Sequence, residues 1–344
     1  MAYTTINKSS DHFSATTYTG NGSASTALTT GTFQPDWVWF KNRGTTEAHL
    51  LMDAVRGATK YIQSASTAAE GTSSDKISAF TSTGVTLGSG AETNENSQPL
   101  VCWSWKANGQ GSSNTDGSIN TTYTSVNTTS GFSISSYTGT GSAATVGHGL
   151  GAVPKMIIVK KTNTTGGWTV YHSSVGNTKY LYLNTTAAEA TASSIWNNTS
   201  PTSSVFTVGT DGEVNGSGAT YIAYCFAEKT GFSKFGKYIG NGSTDGSFIY
   251  TGFKPAFVMY KRTDSTSNWG MHDSGRDIDN PVQKGLIANA NDVEDTHDFI
   301  DFLSNGFKLK STSVNRNGSG AGYIYMAFAE APLVGSNNVP CTAR

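Results

Sequence analysis

The chain repeats itself, and a fixed repeat constrains architecture more than any local pattern. The opening His12-Phe13-Ser14, leading to Tyr18-Thr19-Gly20-Asn21-Gly22-Ser23, returns as Gly131-Phe132-Ser133, leading to Tyr137-Thr138-Gly139-Thr140-Gly141-Ser142. It returns again as Gly231-Phe232-Ser233, leading to Tyr238-Ile239-Gly240-Asn241-Gly242-Ser243. A second anchor, Pro35-Asp36-Trp37-Val38-Trp39-Phe40-Lys41, matches Pro154-Lys155-Met156-Ile157-Ile158-Val159-Lys160 and Pro255-Ala256-Phe257-Val258-Met259-Tyr260-Lys261. Both anchors move by 119 between copies one and two (18 to 137, 35 to 154) and by 101 between copies two and three (137 to 238, 154 to 255). A closing run completes each copy: Val101-Cys102-Trp103-Ser104-Trp105, Ile222-Ala223-Tyr224-Cys225-Phe226 and Ile324-Tyr325-Met326-Ala327-Phe328.

These anchors predict three tandem modules over 1–107, 130–229 and 230–331. A Gly/Ser/Thr-rich linker is expected at 108–129 and a patternless tail at 332–344. Within a module the opening run alternates as a strand does, and its Gly-x-Gly supplies a turn. The second anchor is apolar on both faces, as in a strand covered on both sides, with its lysine marking the exit into solvent. Short strands punctuated by Gly and Asn predict an all-β fold of three β-sandwich, jelly-roll-like modules. One helical stretch is expected around Leu50 to Lys60, weakened by Gly57. Only 14 % of residues are charged, while Gly, Ser, Thr and Asn abound, which suits turns and exposed strand faces.

A formal net charge of -1 without basic runs gives no footprint for nucleic acid. No apolar stretch reaches the roughly 20 residues that span a bilayer, and the first residues lack a signal-peptide core. Cys102 and Cys225 sit in apolar runs and are expected as buried thiols, Cys341 as a tail residue. No Cys/His spacing suggests zinc, and no cofactor motif appears. His172 and His272 align 100 residues apart, with Met52 in copy one, which favours a structural role. Asp53 and Asp273 align with Ser173, and Arg56 and Arg276 follow three residues later with no counterpart in copy two; such a pair ties a loop. The acidic run Asp292 to Asp298, with Asp301, reads as a solvated loop. No catalytic residues are assigned. The surface ligand-binding candidates are Trp168 and Trp269, because their neighbours are Gly, Thr, Ser and Asn. The other strand tryptophans read as core.

Tyr137-Thr-Gly-Thr-Gly-Ser, the run from His148 to Lys160, Asn177-Thr-Lys-Tyr-Leu-Tyr-Leu-Asn, Tyr221-Ile-Ala-Tyr-Cys-Phe-Ala-Glu and Tyr250-Thr-Gly-Phe-Lys-Pro-Ala-Phe-Val-Met carry a resemblance. They look like a family of uncharacterised repeat modules in virion structural proteins of marine tailed bacteriophages. The resemblance implies a non-enzymatic virion component, at the tail fibre or tail tip with a host-surface role, or as a capsid decoration. Its partners would be other virion proteins, copies of itself as a homo-oligomer, and a host surface glycan. It would be assembled in the host cytoplasm, without nucleic acid or membrane as a partner. The rival readings are a carbohydrate-binding, lectin-like adhesin and, below it, a polysaccharide depolymerase, which needs a pair of free carboxylates.

Overall fold

The computed structural model describes residues 4–331 and the backbone of 333–334 and 340–341; at 297–299 the backbone alone is described. The expected all-β architecture is present, in three large antiparallel sheets. The first runs Phe13–Thr19, Pro99–Trp105, Trp37–Asn42, Leu50–Asp53, Lys60–Gln63, Gly71–Thr72. The second runs Tyr123–Asn127, Phe132–Thr138, Thr220–Ala227, Pro154–Lys161, Trp168–His172, Lys179–Tyr182, Ala190–Thr191. The third runs Ser233–Ile239, Gly322–Ala329, Pro255–Arg262, Trp269–Asp273, Val282–Ile287, and continues through Asp295–Leu303 and Gly306–Leu309 to Phe248–Tyr250. Each sheet thus places the opening run beside the closing run and the closing run beside the second anchor. The registers agree as well: Trp37 faces Trp105, Met156 faces Phe226 and Phe257 faces Phe328.

Alternation sends the second anchor's residues to opposite faces. On the outer face Val38 and Phe40 pack on Ile77, Val85 and Leu87 of a small layer formed by Thr26–Thr29, Gly84–Leu87 and Ile77–Thr81. Ile157 and Val159 meet Val146, Phe206 and Val208 in the same way. Val258 and Tyr260 meet Ile249, Phe307 and Leu309. On the inner face Trp37 and Trp39, Met156 and Ile158, and Phe257 and Met259 join one cluster shared by all three sheets. Its middle is aromatic: the Phe328 ring lies 5.7 Å from Trp105 and 6.1 Å from Phe226. The sheets therefore close head to tail in a ring around a common core, and burial on both sides explains why the anchors carry no polar face.

Two expectations change. The stretch 108–129 is not a free linker: Tyr123–Asn127 adds a strand outside Phe132–Thr138, and Ile119 is buried where its N–H donates to the Thr145 carbonyl at 2.9 Å. Tyr123 and Val126 flank two hydroxyl residues, Thr124 and Ser125, and a sheet edge with free backbone groups selects such a segment. The helix expected from Leu50 to Lys60 is instead the inner strand Leu50–Asp53 and a turn, with Gly57 at φ +101°. Leu50, Leu51 and Met52 point alternately into two cores, which a strand allows and a helix does not.

Candidate functional site

The polar residues that the sequence marks out converge on the seams between sheets. Lys41, Lys160 and Lys261 do not exit into solvent; all three are fully buried. Each lies four residues beyond an inward Trp37, Met156 or Phe257, so it points inward as well, under a loop of the neighbouring sheet. Lys41 Nζ donates to the carbonyls of Thr45 (3.0 Å), Glu47 (2.6 Å) and, across the seam, Asn291 (3.1 Å). Lys160 reaches Thr67 of the first sheet's repeat at 3.3 Å, and Lys261 reaches Thr186 of the second's at 3.2 Å. Burial pulls each ammonium down to about 8. An ammonium has three donors and no acceptor, so converging carbonyls serve it without a carboxylate.

Strand register corrects the alignment of the aspartates and histidines. Trp37 faces Asp53, Met156 faces His172 and Phe257 faces Asp273, so His172 occupies the aspartate position. Met52, Tyr171 and His272 share the next position, on the outer face. A slip of one residue exchanges faces, which is why the sequence comparison paired the wrong histidines. At the first–second seam Asp53 accepts from Arg56 Nε (2.6 Å) and from the Tyr224 hydroxyl (2.8 Å), and Arg56 Nη1 reaches Glu70 (3.1 Å). At the third–first seam Asp273 accepts from Arg276 Nε (2.5 Å) and Trp103 Nε1 (3.0 Å), and Arg276 Nη1 reaches Glu294 (2.9 Å). Burial alone would raise the Glu294 carboxyl, but bonds to Arg43 and the charge of Arg276 hold it below its ordinary value.

The second–third seam keeps only the glutamate of that set, Glu189, whose N–H donates to the Thr263 carbonyl as Glu70 N–H does to that of Thr162 and whose carboxylate pairs with Lys179. Met326 stands where Trp103 and Tyr224 donate, Val175 stands where the arginines sit, and His172 replaces the aspartate. His172 Nε2 bonds the Tyr325 carbonyl at 3.2 Å and its Nδ1 accepts from Ser174 N–H at 3.1 Å, so Nε2 carries the proton. Burial pulls this imidazole down to about 4, which keeps it neutral. The Asp-x-x-Arg pairs therefore tie a turn and also lock a seam, wherever the neighbour offers a donor.

Trp168 and Trp269 are not surface residues: they are 0 % and 1 % exposed. Trp168 Nε1 donates to the Gln63 carbonyl of the first sheet and Trp269 Nε1 to the Tyr182 carbonyl of the second, both at 2.9 Å. Their polar flanks belong to loops that the adjacent sheet covers. In the first repeat His49 takes this place, its Nδ1 accepting from Trp39 Nε1 at 2.9 Å.

A second recurring device is legible only in part. The Tyr18, Tyr137 and Tyr238 hydroxyls donate to the carbonyls of Thr93, Val214 and Arg316. Next to each acceptor stands a buried asparagine: Asn94, Asn215 and Asn317. Asn215 Nδ2 bonds the carbonyls of Ser142 (2.6 Å) and Gly209 (2.7 Å), and its Oδ1 receives Thr140 N–H (2.8 Å). Asn94 and Asn317 brace the other two Gly-x-Gly loops alike. Gly141 adopts φ +75°, and the braced loops match at Gly22 and Gly242. Each asparagine lies seven residues before the closing run (94 to 101, 215 to 222, 317 to 324), a constant offset that sequence comparison could have found.

A family model described as a domain of unknown function, DUF7483, matches residues 8–332. The chain belongs to this family. No curated protein and no solved structure matches it. The matched span takes in all three sheets.

Cys102 and Cys225 are buried free thiols as expected, and burial pushes the Cys102 thiol up to about 12. The Cys341 side chain lies outside the described residues. The acidic run from Asp292 is not a loop throughout, because Asp295–Leu303 is a strand and Glu294 is gripped by Arg43 and Arg276. The side chains of His297 and Asp298 are outside the described set. Among the described residues no group of three or more His, Cys, Asp or Glu is placed to hold a metal ion, and no helix is long and apolar enough to cross a membrane.

Proposed function

We propose that the chain is a non-enzymatic structural protein of a bacteriophage virion, carried on the tail or on the capsid surface and assembled in the host cytoplasm. The observation that carries this reading is the recurrence of one sheet three times around a single core. A body with three similar outward sides can sit on a symmetric assembly and offer each neighbour an equivalent contact. The braced Gly-x-Gly loops supply rigid, uncharged, hydroxyl- and amide-bearing surface at each repeat. Other virion proteins and further copies of the chain are the partners this arrangement suits.

A depolymerase would require a free carboxylate pair in a cleft. Asp53 and Glu70 are both engaged by the Arg56 guanidinium, and Asp273 and Glu294 by that of Arg276, which favours the structural reading. A lectin-like adhesin built on Trp168 and Trp269 is disfavoured by their burial. Mass spectrometry of density-purified particles from a host expressing the chain, with immunogold labelling, tests the proposal. The chain should appear at fixed stoichiometry on tails or capsids; its absence from mature particles would sink the idea.

A further inference from the structure

A cleft of about 250 Å³ opens at the first–second seam. Arg56 and Glu70 form one wall, and Tyr123, Ser136, Thr162 and Thr220 line it from the second sheet. Comparison with the third–first seam shows why it is open. Glu294 N–H donates to the Arg43 carbonyl and Glu70 N–H to the Thr162 carbonyl, so these are matching positions. At the third–first seam the Arg43 guanidinium grips Glu294 with two bonds, 2.8 and 2.7 Å. Thr162 is too short to reach Glu70 in this way, and its hydroxyl pairs with that of Thr220 at 2.7 Å.

Charge is not what the cleft lacks. Glu70 is bonded by Arg56 at 3.1 Å and flanked by Lys60 at 3.2 Å, so this seam and the third–first seam each hold two carboxylates and two cations. What the missing arginine leaves is volume, walled by hydroxyls, one edge of a carboxylate and a tyrosine ring. An ion placed there would unbalance the seam, since a buried charge needs its own partner. An uncharged ligand with several hydroxyls and one apolar face suits every wall: the carboxylate and threonines take hydroxyl bonds, and the Tyr123 ring covers the C–H face. The volume is below the roughly 300–1,000 Å³ of pockets for drug-sized molecules, which favours one ring.

We propose that this cleft binds a single neutral sugar residue. Tyr123 comes from the strand Tyr123–Asn127, which has no counterpart in the other two sheets among the described residues, so the site belongs to this seam. The site does not depend on the virion reading; either can stand without the other.

Saturation-transfer NMR on the full chain tests it, with D-glucose, D-galactose, D-mannose, N-acetyl-D-glucosamine and L-rhamnose, and agmatine as a cationic probe. At least one sugar should bind in the millimolar range. Thr162→Arg, which installs the arginine of the third–first seam, should abolish that signal while the melting temperature holds or rises. Tyr123→Ala should weaken binding by about tenfold, through loss of the ring contact. Should Thr162→Arg fail to fold, Tyr123→Ala decides alone. Silence from every sugar, binding of agmatine in their place, or unchanged affinity in the folded variants would overturn the proposal.

Discussion

Arg56 sits between Asp53 and Glu70 with 6 % of its side chain exposed, and Asp53 has none. Arg56→Met keeps the bulk but leaves two carboxylates facing each other beside Tyr224. Removing one member of a buried ion pair costs about 3–5 kcal/mol, so urea unfolding should show a loss of that order. Val175→Leu, at the matching position of the seam that lacks the pair, should shift the midpoint far less. The buried lysines set a pH dependence whose sign follows from their direction. Their folded values of about 8 lie below an ordinary 10.5, so between those values the unfolded chain holds more protons and stability rises with pH. Each lysine contributes on the order of 3 kcal/mol to that rise at full deprotonation. Tyr137 and Tyr224, raised above their ordinary value of 10 by burial, reverse the trend above about pH 10. Thermal melts from pH 7 to 10 should show the rise, opposed above about pH 9 by the Cys102 and Cys225 thiols that burial raises, and Lys160→Met should lose about a third of the lysines' share, because it removes one of three equivalent groups. A flat or falling profile would contradict the buried placement. The Asp-x-x-Arg pairing was legible in sequence but the buried lysines were not: a lysine after an apolar strand reads as its solvent end, and only the neighbouring sheet's loop makes it internal.

Strands were the most legible elements, because the anchors are long and their spacing repeats. The inner strand Leu50–Asp53 and the added strand Tyr123–Asn127 were missed for opposite reasons. The first is apolar on both faces and so carries no period; the second is rich in Ser and Thr and so resembles a loop. Its place is set by an open sheet edge, which no local pattern records. The Gly-x-Gly loops were recognised as turns, but the asparagines that hold them were not. Asn215→Ala removes a side chain that makes three bonds to the loop and its neighbour. Leaving the buried Gly209 carbonyl unpaired should cost about 1–3 kcal/mol. Hydrogen exchange at Gly139 to Ser142 should accelerate, while exchange in Pro154–Lys161 stays slow. Equal acceleration in both would mean that the asparagine supports the whole fold and not the loop.

The ring itself is where sequence reasoning stops, since three copies of one pattern can form a string or a closed body. Closure depends on the inner faces. The first sheet turns Trp37, Trp39, Trp103 and Trp105 inward, none more than 1 % exposed. Burying each is worth at least about 1.5–3 kcal/mol, and four together rival the 5–15 kcal/mol that hold a typical domain. A fragment ending at residue 107 therefore exposes more apolar surface than its own two-layer core can offset. Expressed alone, 1–107 should aggregate or melt without a cooperative transition. Coexpressed with 108–344 it should form a soluble one-to-one complex, because its two edges carry the only Asp–Arg seams among the described residues: Asp53 meets Tyr224 on one side, and Trp103 meets Asp273 on the other. The third seam, with His172, Val175 and Met326, lies wholly inside 108–344 and should survive the cut. Purification through a tag on either fragment, followed by mass measurement of the complex, reads the outcome. A monomeric 1–107 fragment with a sharp melt would show that each sheet folds without its neighbours, and the shared core would then be a contact surface and not the source of stability.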